Sequence, residues 1–214
     1  MRLSKEQAAK NRRGIIEAAA RLFRERGIDG VGVADLMKAA GFTHGGFYNH
    51  FPSKEALAAE ACASAFEGEI AEMTKVFEAA KSEPGFRKYV EKYLSPSHRD
   101  QPDGGCPTAS LAADAWRQGD EVQAAYTEGI ESVLAAFEDR FSKGKTAKLD
   151  KGSKADKSDK ARADKRGNPE VAREQAVRLL SEIVGALVLS RAVAGANPSL
   201  SDEILRISRE KLST

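Results

Sequence analysis

The stretch that decides the fold runs from Gly41 to Lys54 and reads GFTHGGFYNHFPSK. It follows a segment whose apolar residues have the spacing of one buried helical stripe, namely Val33, Leu36, Met37 and Ala40. Gly41 is expected to adopt the left-handed conformation that ends this helix, and the hydroxyl of Thr43 is suited to cap the helix that follows. Because so short a connection forces two helices to cross steeply, the pattern predicts a helix-turn-helix corner.

The second helix of this corner, which we call the reading helix, is predicted to be very short. It spans about His44 to His50, because Pro52 disfavours the helical conformation in the residue before it. Phe47 and Phe51 lie four positions apart and predict an inward face. The outward face then consists of His44, Gly45, Tyr48 and Asn49. Periodicity alone leaves two interpretations open, a DNA-reading device and an ordinary tight helical corner with exposed polar residues.

A longer run of residues around this corner favours the first interpretation. The segment from Arg13 to Leu57 resembles the N-terminal domain of the TetR/AcrR family of bacterial transcriptional regulators. The residues that carry the resemblance are Ile16, Ala19, Leu22, Phe23, Gly27, Val33, Asp35, Leu36, Ala40, Gly41, Phe47, Tyr48, Phe51, Ser53, Lys54, Glu55 and Leu57. The resemblance implies a DNA-binding head, residues 1–52, and a ligand-binding and dimerisation domain, residues 53–214.

Helical periodicity continues over almost the whole chain and predicts an all-α fold of about nine helices. The exception is the segment 143–168, which consists mostly of Lys, Ala, Asp, Ser and Gly. It buries too little apolar surface to offset the entropy of ordering, so we predict a mobile basic insertion. A solvated loop is the simpler interpretation, and an auxiliary arm that binds DNA nonspecifically is the alternative.

Charge is unevenly distributed along a chain whose formal net charge is only +2. Residues 1–60 contain ten Lys and Arg against seven Asp and Glu, and residues 143–168 contain ten against four. A basic head suits a protein that faces phosphates, because phosphate neutralisation supplies most of the sequence-independent affinity for DNA. The N-terminus is polar and no apolar run is long enough to span a bilayer, so we expect a cytoplasmic protein.

The resemblance also implies which residues contact DNA, by position in the motif. It implies contacts with base edges or neighbouring phosphates for Thr43, His44, Gly45 and Asn49. For Tyr48 and Lys54 it implies contacts with phosphates. Two departures from the family pattern limit the assignment. The cap of the preceding helix is Gly32, which has no hydroxyl, and the outward face of the reading helix has no arginine for bidentate guanine recognition. The operator sequence therefore cannot be named.

For the second domain, the resemblance implies a small-molecule pocket and a helical dimer interface. Candidate pocket or core aromatic residues are Phe66, Phe77, Phe86, Tyr89, Tyr93, Trp116, Tyr126 and Phe137, of which Phe66, Tyr89, Trp116 and Tyr126 are the ligand candidates. Candidate residues of the dimer seam are Leu180, Val184, Leu187, Ile204 and Ile207. A symmetric dimer presents two reading helices to successive major grooves and so favours a palindromic site.

The chain has two cysteines, Cys62 and Cys106, which is too few for a disulfide framework or a cysteine zinc site. Cys62 lies among alanines and is predicted to be a core residue. Cys106 directly precedes Pro107, so it is expected at a helix N-terminus, where the helix dipole favours a thiolate. The surrounding sequence resembles a branch of the family that senses electrophiles and oxidants through cysteine. The alternative is a buried capping cysteine beside a conventional ligand pocket.

These observations predict a transcriptional regulator, most simply a repressor that leaves its operator when a small molecule binds or Cys106 is modified. The three histidines do not cluster with cysteines or carboxylates, so we expect no metal, and no motif calls for a cofactor. A small all-helical enzyme would explain the aromatic residues alone, and a nucleoid-type protein would explain the basic segment alone. The inducer, the target genes and the choice between repression and activation are not encoded in any recognisable motif.

Overall fold

The computed structural model describes residues 4–79, 84–149 and 169–212, and the side chains within these ranges except those of residues 84–85 and 143–149. Every regular element in these ranges is helical, so the predicted all-α class is confirmed. The part of the chain described contains no helix with both the length and the apolarity to cross a membrane.

Nine α-helices and two 3-10 helices are present in the described residues. The α-helices are α1 (Lys5–Arg26), α2 (Val33–Ala39), α3 (Lys54–Ala79), α4 (Pro84–Tyr93), α5 (Pro96–Asp100), α6 (Pro107–Ala115), α7 (Asp120–Leu149), α8 (Pro169–Ala194) and α9 (Pro198–Leu212). The 3-10 helices are the reading helix, His44–Asn49, and a single turn, Pro102–Gly104.

One detail of the predicted element pattern was wrong. Helix α7 continues to Leu149, so it includes the first seven residues of the segment 143–168, whose lysine and alanine residues favour helix. The rest of the predicted insertion, residues 150–168, lies outside the described residues.

The chain forms two compact units. The first contains Met1–Glu69 and Ser97–Ile130, and the second contains Ile70–Pro96 and Glu131–Thr214. Helices α3 and α7 each contribute to both units. The first unit therefore holds the helix-turn-helix corner together with Cys106 and all of α6.

The core of the first unit is built on α1. This helix begins at the cap residue Ser4, whose hydroxyl accepts a hydrogen bond from the Gln7 amide at 3.1 Å. It ends at Gly27, which has a φ of 76° and donates to the Phe23 carbonyl at 2.9 Å. The buried side chains of α1 are Ile15, Ala18, Ala19, Ala20, Leu22 and Phe23. Helix α1 packs against α2, α6 and the turn at 102–104.

The second unit has an aromatic cluster and a helical pair. The ring of Phe137 on α7 lies 5.6 Å from Tyr89 and 6.3 Å from Phe77, centroid to centroid. Helices α8 and α9 pack against each other and enclose a buried pair of hydroxyls, Ser190 and Ser201, whose oxygens are 2.8 Å apart. Each hydroxyl also lies within hydrogen-bonding distance of the backbone carbonyl of the other serine, at 3.0 and 2.8 Å, so the polar pair is satisfied within the core.

Candidate DNA interface and cysteine site

The turn before the reading helix has the geometry of a complete Schellman motif. Gly41 has a φ of 82°, which an L side chain rarely adopts. Its amide donates to the Lys38 carbonyl at 3.1 Å, and the Phe42 amide donates to the Met37 carbonyl at 2.8 Å. The predicted left-handed glycine is confirmed, and it ends α2 and turns the chain toward the reading helix.

The reading helix is a 3-10 helix rather than an α-helix, and its two faces are those predicted. Phe47 and Phe51 are buried, and their ring centroids are 5.7 Å apart. The four outward residues, His44, Gly45, Tyr48 and Asn49, are all exposed. Tyr48 is 69% exposed, which is unusual for a large aromatic residue and leaves its hydroxyl accessible.

Thr43 precedes the reading helix, as predicted, but its hydroxyl makes no capping hydrogen bond. The predicted side-chain cap was therefore wrong. The Thr43 backbone carbonyl accepts the Gly46 amide instead, at 3.1 Å. This is the three-residue spacing of a 3-10 turn. The exposed Thr43 side chain remains accessible to a partner.

Arg12 joins three elements around the reading helix, a role that the sequence pattern did not reveal. Its guanidinium forms a two-pronged ion pair with the Glu60 carboxylate on α3. Its Nε donates to the His50 carbonyl at 3.4 Å, and its charged carbon lies 4.6 Å from the centroid of the Phe51 ring. Since Arg12 and Glu60 are 48 positions apart, only the folded chain brings them together.

Helix α3 begins at Lys54, directly after Ser53. The Ser53 hydroxyl accepts the Ala56 amide at 3.0 Å, and Lys54 follows in the first turn, half-buried. Lys54 lines a groove of about 320 Å³ together with Ile28, Asp29, Glu55, Arg117, Gln118 and Gly119. The groove is open and mixes both signs of charge, so it has no obvious preference for one kind of small molecule.

Cys106 occupies the N-cap position of α6, with Pro107 as the first helical residue. Its side chain is only 1% exposed. Its backbone amide donates to Nε2 of His98 at 3.0 Å, so this ring nitrogen has no proton of its own in this arrangement. The sequence pattern assigned no contact to His98, whereas in the fold its ring accepts the hydrogen bond that holds the backbone at Cys106.

The second cysteine, Cys62, is buried in α3, in agreement with the predicted core position. Burial raises the pKa of the Cys62 thiol to about 12, because the surroundings disfavour the charged form. Neither cysteine forms a disulfide bond within the described residues. Cys62 is therefore expected to be chemically inert near neutral pH.

The four ligand candidates do not share one environment. Phe66 and Tyr126 meet edge to face in the first unit, with ring centroids 5.5 Å apart, and the Tyr126 hydroxyl donates to the Thr108 carbonyl at 2.8 Å. Burial raises the pKa of Tyr126. Tyr89 belongs to the aromatic cluster of the second unit. Trp116 is 68% exposed, so the suggested core or pocket position was wrong for this residue.

Trp116 is exposed because α6 ends at this residue, at the surface. The Arg117 guanidinium lies over the Trp116 ring, and its central carbon is 4.8 Å from a ring centroid. The Arg117 side chain also donates to the Ala113 carbonyl at 2.9 Å. The aromatic ring therefore supports a surface arginine and does not line an interior cavity.

The five candidate seam residues divide between the inside and the outside of the second unit. Leu180 and Leu187 are buried within the chain itself and so do not reach the surface. Val184 and Ile204 are half-buried, and Ile207 is exposed. The sequence pattern identified the two helices but not which face of α8 is at the surface. Periodicity alone cannot distinguish an apolar face that packs inside the subunit from one that is left outside.

A short, exposed polar helix supported by a helix-turn-helix corner, on an otherwise all-α chain, defines the class of helix-turn-helix DNA-binding proteins. Residues 15–61 match the family described as bacterial regulatory proteins, tetR family. Related sequences and solved structures agree with this match, so the predicted resemblance to the TetR/AcrR family of transcriptional regulators is confirmed.

Two relatives illustrate the extent of the similarity. The transcriptional repressor NemR of Escherichia coli (strain K12) is 22% identical over 145 residues, which cover 67% of this chain and 73% of NemR. The transcriptional regulator TtgR of Pseudomonas putida is 44% identical over 57 residues, which cover 27% of each protein.

Solved structures show that the fold is shared over nearly the whole chain. The crystal structure of the reduced form of E. coli NemR aligns with a TM-score of 0.71 at 20% identity, covering 95% of both chains. A TetR-family regulator from Cytophaga hutchinsonii also aligns with a TM-score of 0.71, at 22% identity, covering 100% of this chain and 97% of the other.

Proposed function

We propose that this regulator is a dimeric repressor that binds a palindromic operator and leaves it when a small molecule binds or Cys106 is modified. The observation that carries the DNA-binding part is the exposed face of the reading helix above the buried pair Phe47 and Phe51. The hydroxyl and ammonium groups of Tyr48 and Lys54 suit phosphates, and Thr43, His44, Gly45 and Asn49 suit base edges or neighbouring phosphates. Such a regulator works in the cytoplasm.

The absence of a side chain at Gly45 supports close approach to DNA. An added Cβ at this position meets no protein atom within 4 Å, so the site is open on its outer side. Phosphate contacts fix the register of the protein on the duplex, and base contacts and DNA shape then supply specificity. Because no arginine lies on the outward face, shape and half-site spacing carry a larger part of the specificity.

A dimer is supported by apolar side chains that α8 and α9 leave at the surface. Val177, Val184 and Val188 follow one stripe of α8, at i, i+7 and i+11, and are exposed or half-buried. Leu200, Ile204 and Ile207 follow a matching stripe of α9. Burial of these two stripes against a second copy would form the four-helix seam that the family resemblance implies. Leu180 and Leu187 then support the seam from inside each subunit.

The switch is supported by contacts between the α6 segment and the DNA-binding head inside the first unit. Arg24 of α1 donates to the Gly105 carbonyl at 3.3 Å, next to Cys106. At the other end of α6, the side-chain amide of Gln118 donates to the Asp29 carboxylate at 3.2 Å. The α6 segment is therefore connected to the last turn of α1 and to the residues just after this helix, and α1 braces the reading helix.

The second candidate trigger is a conventional ligand, with Cys106 as a structural cap. The 1% exposure of Cys106 favours this alternative, because a reagent reaches the thiol only when the surrounding segment opens. Phe66 and Tyr126 are the ligand candidates that lie together, in the same unit as the cysteine. Similarity to the repressor NemR, whose structure is described as a reduced form, favours cysteine chemistry.

The DNA-binding part is tested with a mobility-shift assay on DNA that flanks the gene. We expect saturable, sequence-dependent binding, and Lys54→Ala should weaken it on every sequence and lower the salt slope by about 1. The control is Lys88→Ala, at an exposed lysine of the second unit. Equally tight binding of random DNA would support the nonspecific nucleoid-type alternative instead.

The trigger is tested by treating the protein–DNA complex with a thiol-alkylating reagent. We expect alkylation to release the DNA from the wild-type protein but not from Cys106→Ser, while Cys62→Ser behaves like the wild type. Release from Cys106→Ser at the wild-type rate would reject the cysteine trigger. A small-molecule screen against the complex would then test the conventional ligand.

A further inference from the structure

Arg24 is a half-buried cation in the first unit with an incomplete set of hydrogen bonds. Its Nη1 donates to the Gly105 carbonyl at 3.3 Å, whereas its Nε is buried and has no hydrogen-bond partner. A buried donor without a hydrogen bond is costly, so its retention calls for a reason.

The charges around Arg24 come from several elements. Burial is the largest influence on the pKa of Arg24 and lowers it. The negative charges of Asp103, Glu69 and Cys106 raise this pKa, with Asp103 the strongest of the three, and the positive charge of Arg21 lowers it. The thiolate form of Cys106 is thus within electrostatic reach of the guanidinium. Because this attraction is mutual, the guanidinium in turn favours the thiolate over the thiol.

The first turn of α6 provides a second set of unsatisfied donors beside the same cysteine. The Thr108 hydroxyl is two residues after Cys106, is 4% exposed and has no hydrogen-bond partner. In this turn Pro107 has no N–H, so only the amides of Thr108 and Ala109 have no partner within the helix, and the helix dipole favours an anion there. The cap side chain of Cys106 accepts no such hydrogen bond, since a thiol is a weak acceptor.

We propose that Arg24 is a positioning residue for Cys106: with the buried Thr108 hydroxyl and the first turn of α6, it stabilises the anionic form of the sulfur and so makes this thiol the reactive one. The inference rests on the proposed cysteine trigger for its biological meaning. It also gives a reason for the buried, incompletely hydrogen-bonded guanidinium, which would otherwise be replaceable by an apolar side chain.

The chemistry of the trigger follows from this assignment. With iodoacetamide, the thiolate attacks the methylene carbon, a carbon–sulfur bond forms, the carbon–iodine bond breaks and iodide leaves with the electron pair. The product is a neutral thioether, so Arg24 loses one anion and gains a bulky neighbour. Because Arg24 belongs to α1, the helix that braces the reading helix through Arg12, this loss acts directly on the DNA-binding head.

The test measures the rate of Cys106 alkylation by iodoacetamide between pH 6 and 10 on the full-length protein without DNA, using peptide mass spectrometry. For Arg24→Met we expect a rate about tenfold lower at pH 7 and a rate profile displaced to higher pH. This is the effect expected when the pKa of the Cys106 thiol rises by about one. Arg24→Lys should restore most of the rate. Arg26→Met, an exposed arginine on the same helix, should leave the profile unchanged.

Cys62 is an internal control for loosening of the fold, because it is equally buried. A profile of Arg24→Met that superimposes on the wild type, or an acceleration of both cysteines together, would overturn the inference. The experiment is independent of DNA release. Wild-type alkylation without DNA release would reject the proposed trigger while leaving the role of Arg24 intact. DNA release on alkylation, with an Arg24→Met profile equal to that of the wild type, would support the trigger and reject the role of Arg24.

Discussion

Gly41 and Gly45 are four residues apart in the same corner, yet the fold requires only the first. Gly41 has a φ of 82° with no protein atom near the position of an added Cβ, so the backbone conformation alone requires glycine. Gly45 has no such conformation, and an added Cβ there also meets only open space. Stability explains the first glycine, whereas neither the backbone conformation nor the packing requires the second.

A matched pair of alanine substitutions tests this difference. Gly41→Ala should lower the free energy of unfolding by about 1 to 2 kcal/mol, the cost of a side chain in the left-handed region. Gly45→Ala should leave stability unchanged or slightly higher, but weaken operator binding if the backbone approaches DNA closely. Chemical denaturation and a mobility shift measure the two effects. Unchanged DNA binding by Gly45→Ala would argue against close approach at this residue.

At the scale of elements, α6 determines how the cysteine segment contacts the head. Near its end, the Asp114 carboxylate accepts a hydrogen bond from the Ile28 amide, and one of its oxygens lies 3.1 Å from where a Cβ would be at Gly27. Burial, followed by the nearby Asp29 carboxylate, raises the pKa of Asp114. Because the folded-state pKa lies above the unfolded one, the ionised form of Asp114 opposes folding at neutral pH.

The sign of this effect gives a pH-dependent prediction. The stabilising contribution of protonated Asp114 is lost as the pH rises through its raised pKa, so Asp114→Asn should increase the melting temperature at pH 7. The increase should disappear in acid, below the unfolded-state pKa, where the carboxyl is neutral in both states. Thermal unfolding of both proteins at several pH values checks this, with Glu67→Gln as an exposed control on α3. A constant difference at every pH would contradict the assignment.

On the scale of the whole molecule, the proposed dimer depends on the exposed apolar side chains of α8 and α9. Val188 and Ile207 are among the most exposed large apolar residues of the described chain, together with Tyr48, Trp116, Val177, Leu189 and Leu200. Contiguous exposed apolar surface on a folded protein usually marks an interface. Since the two serines between α8 and α9 are mutually satisfied, the helical pair is a preformed unit that a second copy can dock against.

The proposed seam predicts the behaviour of charged variants in solution. Val188→Glu and Ile207→Glu should shift the protein from dimer to monomer in sedimentation equilibrium, because each would place an unpaired charge in an apolar interface. The monomer should also lose most of its affinity for a palindromic site, since only one reading helix remains. Ala135→Glu, at an exposed position of α7, provides the control. A dimer that survives both substitutions would place the seam elsewhere.

Local rules were enough to predict much of this protein from its sequence. The left-handed Gly41, the cap at Ser53, the proline that begins α6 and the buried face of Phe47 and Phe51 all depend on residues within one or two turns of each other. The all-α class rests on the same short-range periodicity, and the family resemblance rests on the run of matching residues between Arg13 and Leu57. Features that depend on weak local preferences, such as the end of α7 and the 3-10 form of the reading helix, were not predicted correctly.

Only the tertiary structure decided the contacts between residues distant in the chain. The ion pair of Arg12 with Glu60, the position of Arg24 beside Gly105 and the exposed Trp116 leave no periodic trace in the sequence. The same holds for the inward faces of Leu180 and Leu187. The physical reason is that helical periodicity specifies which residues share a face, whereas the packing of the whole chain determines what that face meets.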